Sequence, residues 1–404
     1  MIQLFKMAFR DLGRNRRRSF FSSLALGMGL ALLLLMAAFI RGEMNGAMDL
    51  TIRLQSGHLQ IRAQSYDESK TSLKWQDLVE NPETVAAQVA ALPPVIAATP
   101  RLFASGIVSI RDESAGVRVF GIDPLSEANA PYRAGLMSGE FLTAGDREGL
   151  LIGQPLAEKL GLKAGDQVSL SVNTSNGDVA EQPFTIRGVY STQTNGFDSV
   201  TVFLPLAKAQ AIAQAENHAS TIFVLLKDRA QTEAVAAALQ SSNYKVLTWT
   251  KMNEIIIQTE ELANSYMSIF YLIVLAITAT VIVNTLIMSV FERTREIGIL
   301  TAIGIKGRRI MAMFLAESTL LAVGGILMGL VLGFLVVAYF TKYGFYIGNM
   351  GVTMLFGNTI YAELTLEDTV RLTILTFVIT LLAGFYPAML AARMEPVEAL
   401  RAGQ

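Results

Sequence analysis

Four apolar runs constrain this chain more than any other feature, because each is about the ~20 residues a helix needs to cross a bilayer core. They fall at about Phe20–Ile40, Met267–Phe291, Met311–Phe340 and Val370–Leu390. One precedes and three follow a stretch, about Asn45 to Asn264, that reads like an ordinary soluble domain. The 404 residues are 52% hydrophobic and only 17% charged, where a soluble protein is roughly a quarter charged. The shortfall sits in the apolar runs. Such unevenness predicts membrane spans plus a folded domain, not one large soluble core.

Basic residues orient the spans. Lys6, Arg10, Arg14, Arg16, Arg17 and Arg18 precede the first run, so the N-terminus is expected in the cytoplasm. That run exceeds the ~7–15 apolar residues of a signal-peptide core. An amphipathic stretch, Leu4–Arg10, lies before it and suits the membrane interface. A retained span is therefore expected. The loop after the second run carries Arg293, Arg295, Lys306, Arg308 and Arg309 and should be cytoplasmic. The loop over 341–369 holds one Lys and no Arg and should be outside, and Arg393 and Arg401 place the C-terminus inside. The expected division is a cytoplasmic amphipathic segment 1–19, a first span 20–41 and an extracytoplasmic α+β domain 42–250. A stalk and second span 251–291 follow, then a cytoplasmic loop 292–310 and a third span 311–340. An outer loop 341–369, a fourth span 370–390 and a cytoplasmic tail 391–404 complete it.

Within the outer domain, periodicity predicts helices over Pro82–Leu92, Leu151–Leu160, Ala207–Gln214 and Thr232–Leu239. Strands are predicted over Phe103–Arg111, Val117–Ile122, Gln167–Val172, Phe184–Tyr190, Val200–Leu204 and Thr221–Leu226. The mixture points to an α+β domain of two subdomains. Lys251–Tyr266 is polar, helical in period and continuous with the second span, as a rigid stalk would be.

Several chemistries are excluded. A net charge of -1 provides no global field for nucleic acid. With no cysteine there is no disulfide, thiolate metal site or cysteine nucleophile. Two histidines, His58 and His218, are too few for a metal cluster and are expected on the surface or in packing. No hydrolase or metalloprotease motif occurs, so no catalytic residue and no metal ligand is assigned. No Gly-Lys pair occurs either, so the chain lacks a phosphate-binding P-loop. Any ATP-driven work needs an ATPase from another chain.

Polar residues inside the spans are few. Asn284 is expected to bond a neighbouring helix, and Glu317 to pair with a basic residue of the nearby loop, such as Arg308 or Arg309. Gly325, Gly329 and Gly333 form a stripe with four-residue spacing, which lets another helix approach closely.

The most specific segment follows the second span. Phe291–Gly304 reads FERTREIGILTAIG, with charges at Glu292, Arg293, Arg295 and Glu296 and an apolar face of Ile297, Ile299, Leu300 and Ile303. A short amphipathic helix along the membrane surface would present both. This segment resembles the coupling helix of the FtsX-like, or MacB-type (type VII), ABC transporter permeases. The C-terminal Tyr386–Arg401, YPAMLAARMEPVEALR, resembles the same family's ending, and the one-plus-three layout matches it.

The outer domain is most similar to that of the lipoprotein-releasing LolC/LolE permeases, at Ser56–Ile61, Gly121–Pro124, Leu151–Gly153, Lys163–Asp166 and Leu204–Gln210. One departure is the short Val172–Phe184, with a single Pro183 in place of an extended Pro-rich carrier-recruiting loop.

The resemblance implies a four-helix permease with a MacB-like periplasmic core domain in the bacterial inner membrane. It implies two ATPase subunits bearing ATP and Mg, a second permease, same or homologous, and a periplasmic carrier or adaptor. It assigns ATPase contact to Glu292, Arg293, Glu296, Ile297, Gly298, Leu300, Ala302 and Gly304. Substrate contact is looked for around Phe39, Met267 and Phe270. The cargo reading is a lipoprotein or other lipidated substrate taken from the outer leaflet. The alternatives are MacB-type efflux of a drug, peptide or siderophore, and FtsX-like control of a cell-wall hydrolase.

Overall fold

A computed structural model describes residues 10, 16–67, 73–240, 243–346 and 359–395. The Leu4–Arg10 stretch (apart from Arg10), residues 347–358 of the 341–369 loop and the Pro396–Arg401 end of the C-terminal motif lie outside them. The described residues divide into two compact units. One comprises the chain up to Met44 with Glu260–Tyr346 and the chain from Thr359 onward; the other is Asn45–Thr259.

The helical unit contains four long apolar helices. Arg16–Thr51 continues through a π-helical turn to Ser56, and the others are Glu254–Glu292, Gly307–Tyr343 and Leu366–Ala392. Each outlasts its apolar run, because helix continues as far as caps and turn residues allow, whereas hydropathy marks only what is lipid-compatible. The fourth helix starts at a side-chain cap, where the Thr365 hydroxyl accepts from the Asp368 N–H at 3.2 Å. The stalk is helical from Glu254; a short helix, Trp249–Met252, precedes it and Asn253 breaks the two apart.

The sequence predicts a partner helix for Asn284 and a loop arginine for Glu317; the structure differs on the first, and on the second it supplies a different arginine of the same loop from those named. Asn284 is exposed on the outside of the helical unit. Glu317 pairs with Arg293, at 3.4 Å, and accepts from Ser289 at 3.2 Å. The reason is reach: Ser289 and Arg293 are one helical turn apart and both face the third helix, whereas Arg308 and Arg309 are exposed near that helix's start. Thr285 meets Ser22 of the first helix, oxygen to oxygen at 2.7 Å.

The other unit is built on one ten-stranded mixed sheet. Its strands are β1 (Leu59–Ala63), β3 (Val95–Ile110), β4 (Glu113–Ile122), β5 (Leu136–Gly139), β6 (Gly149–Gly153), β7 (Gln167–Asn173), β8 (Val179–Tyr190), β9 (Thr201–Pro205), β11 (Thr221–Leu226) and β12 (Tyr244–Thr248). β2 (Val79–Glu80) and β10 (His218–Ala219) pair separately. The order is β12-β1-β11-β3-β4-β9-β6-β8-β5, with β7 across β3 and β8.

Side-chain alternation assigns the two faces. Val202 and Leu204 of β9 enter one core and Phe203 another; Leu150 and Ile152 of β6 do likewise against Leu151. A third core gathers β1, β11, β12 and the start of β3 under the helices Pro82–Ala90 and Thr232–Leu239. β3 runs through both lobes, pairing with β11 in its first half and with β4 and β7 in its second.

The segment Leu151–Leu160, expected as one helix, is instead the end of β6 followed by the helix Gln154–Leu160. A strand buried on both faces is continuously apolar, and periodicity alone does not separate it from helix.

A buried cation organises the start of this domain. Arg101, fully buried in β3, donates from Nη1 to the Leu54 carbonyl at 2.9 Å and from Nη2 to Asn129 Oδ1 at 2.9 Å. Its guanidinium lies 3.5 Å from the Phe223 ring centroid. The Tyr132 hydroxyl donates to the same Leu54 carbonyl. Burial pushes the Arg101 pKa down, with Tyr132 opposing that shift, and burial pushes Tyr132 up. The cluster satisfies a carbonyl at the end of the first helix, where C=O groups lack intrahelical partners and favour a cation.

The two ends of the domain are also tied together. β1 pairs with β12, the Trp249 N–H donates to the His58 carbonyl at 3.0 Å, and Asn253 Nδ2 donates to Ser56 Oγ at 3.1 Å. His58 Nδ1 accepts from the Leu226 N–H, and His218 stacks on Trp75, so both histidines are packing residues.

Candidate functional site

The segment following the second helix folds into a short helix, Thr294–Ala302, with Arg293 at its N-cap position. It stops at Gly304, whose φ of +91° suits glycine and turns the chain toward the third helix. The amphipathic pattern sets its orientation. Ile297 is buried in a cluster with Val290, Ile310, Met313, Phe314, Ala388 and Ala391, drawn from the second, third and fourth helices. Gly298 is buried as well and Leu300 is half-buried. The opposite face carries Arg295, Glu296, Ile299, Ala302 and Ile303, with Ile303 71% exposed.

Two ion pairs fasten the helix at its start. Arg18 of the first helix meets Glu292 at 2.7 Å in a part-exposed pair. Arg293, 3% exposed, meets Glu317, 4% exposed, inside the unit. Exposed pairs contribute about 0.2–1 kcal/mol, so the buried one matters more, as a device that positions the helix.

The eight residues expected at an ATPase contact therefore separate. Glu292, Glu296, Ala302 and Gly304 are exposed; Leu300 is half-buried; Arg293, Ile297 and Gly298 face inward. The inward three hold the short helix on the bases of its neighbours. Ile299 and Ile303, noted in sequence only as part of an apolar face, are the exposed apolar residues among the charges.

A double-mutant cycle tests the buried pair. Arg293→Ala and Glu317→Ala should each destabilise the helical unit, and the double variant should recover about 0.5–3 kcal/mol of their sum. Strict additivity in detergent unfolding would show that the two side chains are not coupled.

The glycine stripe packs against the first helix. A Cβ on Gly325 would lie 2.6 Å from Leu26, one on Gly329 2.8 Å from the Gly27 carbonyl oxygen, and one on Gly333 2.8 Å from Leu34. Gly27 reciprocates, 2.9 Å from the Gly325 carbonyl oxygen.

The three residues expected at a substrate surface do not share one. Phe39 packs on Phe340 and Phe345, at 5.1 and 5.8 Å between ring centroids. Met267 packs into a separate core to which all four long helices contribute. Phe270 is half exposed on the outer face of the second helix.

The family model of the MacB-like periplasmic core domain matches residues 19–242, and that of the FtsX-like permease C-terminal matches residues 268–396. The chain belongs to the MacB/FtsX-type ABC transporter permeases. Among its relatives is the lipoprotein-releasing system transmembrane protein LolC of Neisseria meningitidis serogroup B, 25% identical over 96% of this chain and 95% of that one. Another is the macrolide export ATP-binding/permease protein MacB of a Shewanella species, 23% identical over 98% of this chain and 60% of that one. Among solved structures, the periplasmic region of MacB from Actinobacillus actinomycetemcomitans aligns with 51% of the chain at a TM-score of 0.37 and 14% identity. Four apolar helices among the described residues, one before and three after, flank a periplasmic α+β domain, and the protein is a membrane permease with an ATPase partner.

Proposed function

We propose that this permease is the membrane subunit of a mechanotransmission ABC transporter that releases lipoproteins, or another lipidated substrate, from the outer leaflet of the inner membrane. The observation that carries this reading is the correspondence, nearly end to end, with a lipoprotein-releasing transmembrane protein. The termini lie in the cytoplasm and the domain in the periplasm, as the basic residues favour. Two copies of a separate ATPase subunit, carrying ATP and Mg, dock on the exposed face of the Thr294–Ala302 helix. The permease itself binds no cofactor and works beside a second permease, identical or homologous. Closure of the ATPases presses that helix, and its anchorage to the second, third and fourth helices passes the motion on.

MacB-type efflux of a drug, peptide or siderophore through an adaptor is the second reading. It is favoured by the match of the outer domain to the MacB-like family model. The MacB relative is matched over 60% of its length and the LolC relative over 95% of its own.

A photocrosslinker at Phe270 in cells distinguishes the two: an acylated protein should be captured, and capture of a periplasmic adaptor alone would refute lipoprotein release. The docking face has its own test. Glu296→Lys with Ile303→Asp should reduce copurification of the ATPase at least tenfold, about 1.4 kcal/mol or more, with membrane insertion unchanged. Undiminished copurification would remove this helix as the dock.

A further inference from the structure

A small polar cavity of about 160 Å³ opens at the Ile40–Met44 end of the helical unit. It is lined by Ile40, Arg41 and Met44 of the first helix, Glu260, Asn264, Ser268 and Tyr271 of the second, and Asp368 and Arg371 of the fourth. That volume is roughly five waters' worth, room for one small headgroup and no more.

Its charges are arranged in a fixed order. Asp368 is 3% exposed and holds both arginines: Arg41 Nε at 2.6 Å on one carboxylate oxygen and Arg371 Nη2 at 3.1 Å on the other. The Thr365 hydroxyl donates to the same carboxylate at 2.7 Å. Asp368 is thereby committed, and it fixes two guanidinium groups whose remaining N–H donors have no partner among the described residues. Across the cavity, Glu260 is half-buried and its carboxylate accepts no hydrogen bond or ion pair from any described residue. One cavity thus presents planar cationic donors and a separate, unsatisfied carboxylate. A half-buried charge left in that state is costly unless an opposite charge joins it.

The depth matters as much as the charge. The cavity lies at the Ile40–Met44 end of the first helix, opposite the basic Arg16–Arg18 end. Tyr271 stands in its wall and the apolar spans begin immediately below, which is the level of lipid headgroups. Arginine donors suit a phosphate, which they can engage bidentately. A free carboxylate beside them suits an ammonium that can donate hydrogen bonds.

We propose that this cavity binds the headgroup of a phosphatidylethanolamine-type phospholipid of the adjoining leaflet, with its phosphate on Arg41 and Arg371 and its primary ammonium on Glu260. The bound lipid bridges the first, second and fourth helices where they leave the membrane. It is a resident ligand, separate from any transported cargo.

Titration of the full chain in detergent with single lipids, read by native mass spectrometry, tests this. Phosphatidylethanolamine should bind about tenfold tighter than phosphatidylglycerol, which lacks the ammonium, or phosphatidylcholine, whose quaternary ammonium donates no N–H bond. Glu260→Gln should erase the preference over phosphatidylglycerol and leave phosphatidylglycerol binding in place. Arg371→Gln should weaken all three lipids about tenfold, and Arg371→Lys should restore part of the loss. Both positions are partly or largely exposed, so an unchanged helical circular dichroism spectrum and thermal transition confirm that the variants fold. Equal retention of the three lipids by the unaltered chain, or a preference that survives Glu260→Gln, overturns the proposal.

Discussion

Gly329→Leu should separate the first and third helices. A Cβ at this position already falls 2.8 Å from the Gly27 carbonyl oxygen and 2.9 Å from Leu30 Cβ. The first of these is backbone, which does not rotate away as a side-chain tip does. Overpacking an ordinary core costs about 1–3 kcal/mol; with backbone in the way the upper end is expected. The loss falls on the contact that seats the first helix, since Gly27 and Gly325 approach each other in the same way one turn along. Natural absence of cysteine provides a clean readout. Ser23→Cys paired with Gly324→Cys, positions whose side chains would come within ordinary contact, should form a disulfide efficiently in the parent chain. In the Gly329→Leu background crosslinking should drop at least tenfold. Efficient crosslinking there would mean that the glycine stripe is not what brings these helices together.

Arg101→Met should unfold the start of the outer domain at markedly lower denaturant. The substitution keeps most of the volume and removes the donors to Leu54 and Asn129. Each buried acceptor left without a partner costs about 1–3 kcal/mol; Leu54 keeps the Tyr132 hydroxyl and Asn129 Oδ1 loses its donor, so the expected loss is about 1–3 kcal/mol. Arg101→Ala adds a cavity beside Phe223 and Tyr132 and should cost about 2 kcal/mol more. Both tryptophans, Trp75 and Trp249, belong to the Asn45–Thr259 unit, so fluorescence-monitored urea unfolding of the full chain reports on that unit alone. If Arg101→Met unfolds with the parent chain, the guanidinium is a passenger and not the clamp on the first helix's end.

The Arg101 cluster also shows where sequence reading stops. In ATPRLFASG the arginine sits in a strand-like run, and nothing local distinguishes a buried cation from an exposed one. Its partners come from Leu54, Asn129, Tyr132 and Phe223, between 28 and 122 positions away. Glu317 is a related case. Its ionisable character inside a span was visible, yet the nearest basic residues in sequence were not its partners, because helical facing outweighs proximity along the chain. Arg41, Asp368 and Arg371 lie on helices separated by more than 300 residues of chain, and only the folded unit assembles them.

By itself the sequence determined the count and placement of the apolar helices, the presence of an α+β domain between the first and second, and the amphipathic segment after the second. These follow from composition and period, which are local properties that bulk solvent and lipid read directly. It also determined that these 404 residues hold no P-loop. Only the tertiary structure decided how the segment Glu292–Gly304 is oriented. Burial of Ile297, Gly298 and Arg293 against three other helices turns one side of it into an anchor and leaves Glu296, Ile299 and Ile303 as the face. Which side of a short helix is inside depends on what packs against it, and those partners lie as far away in sequence as Glu317 and Ala391.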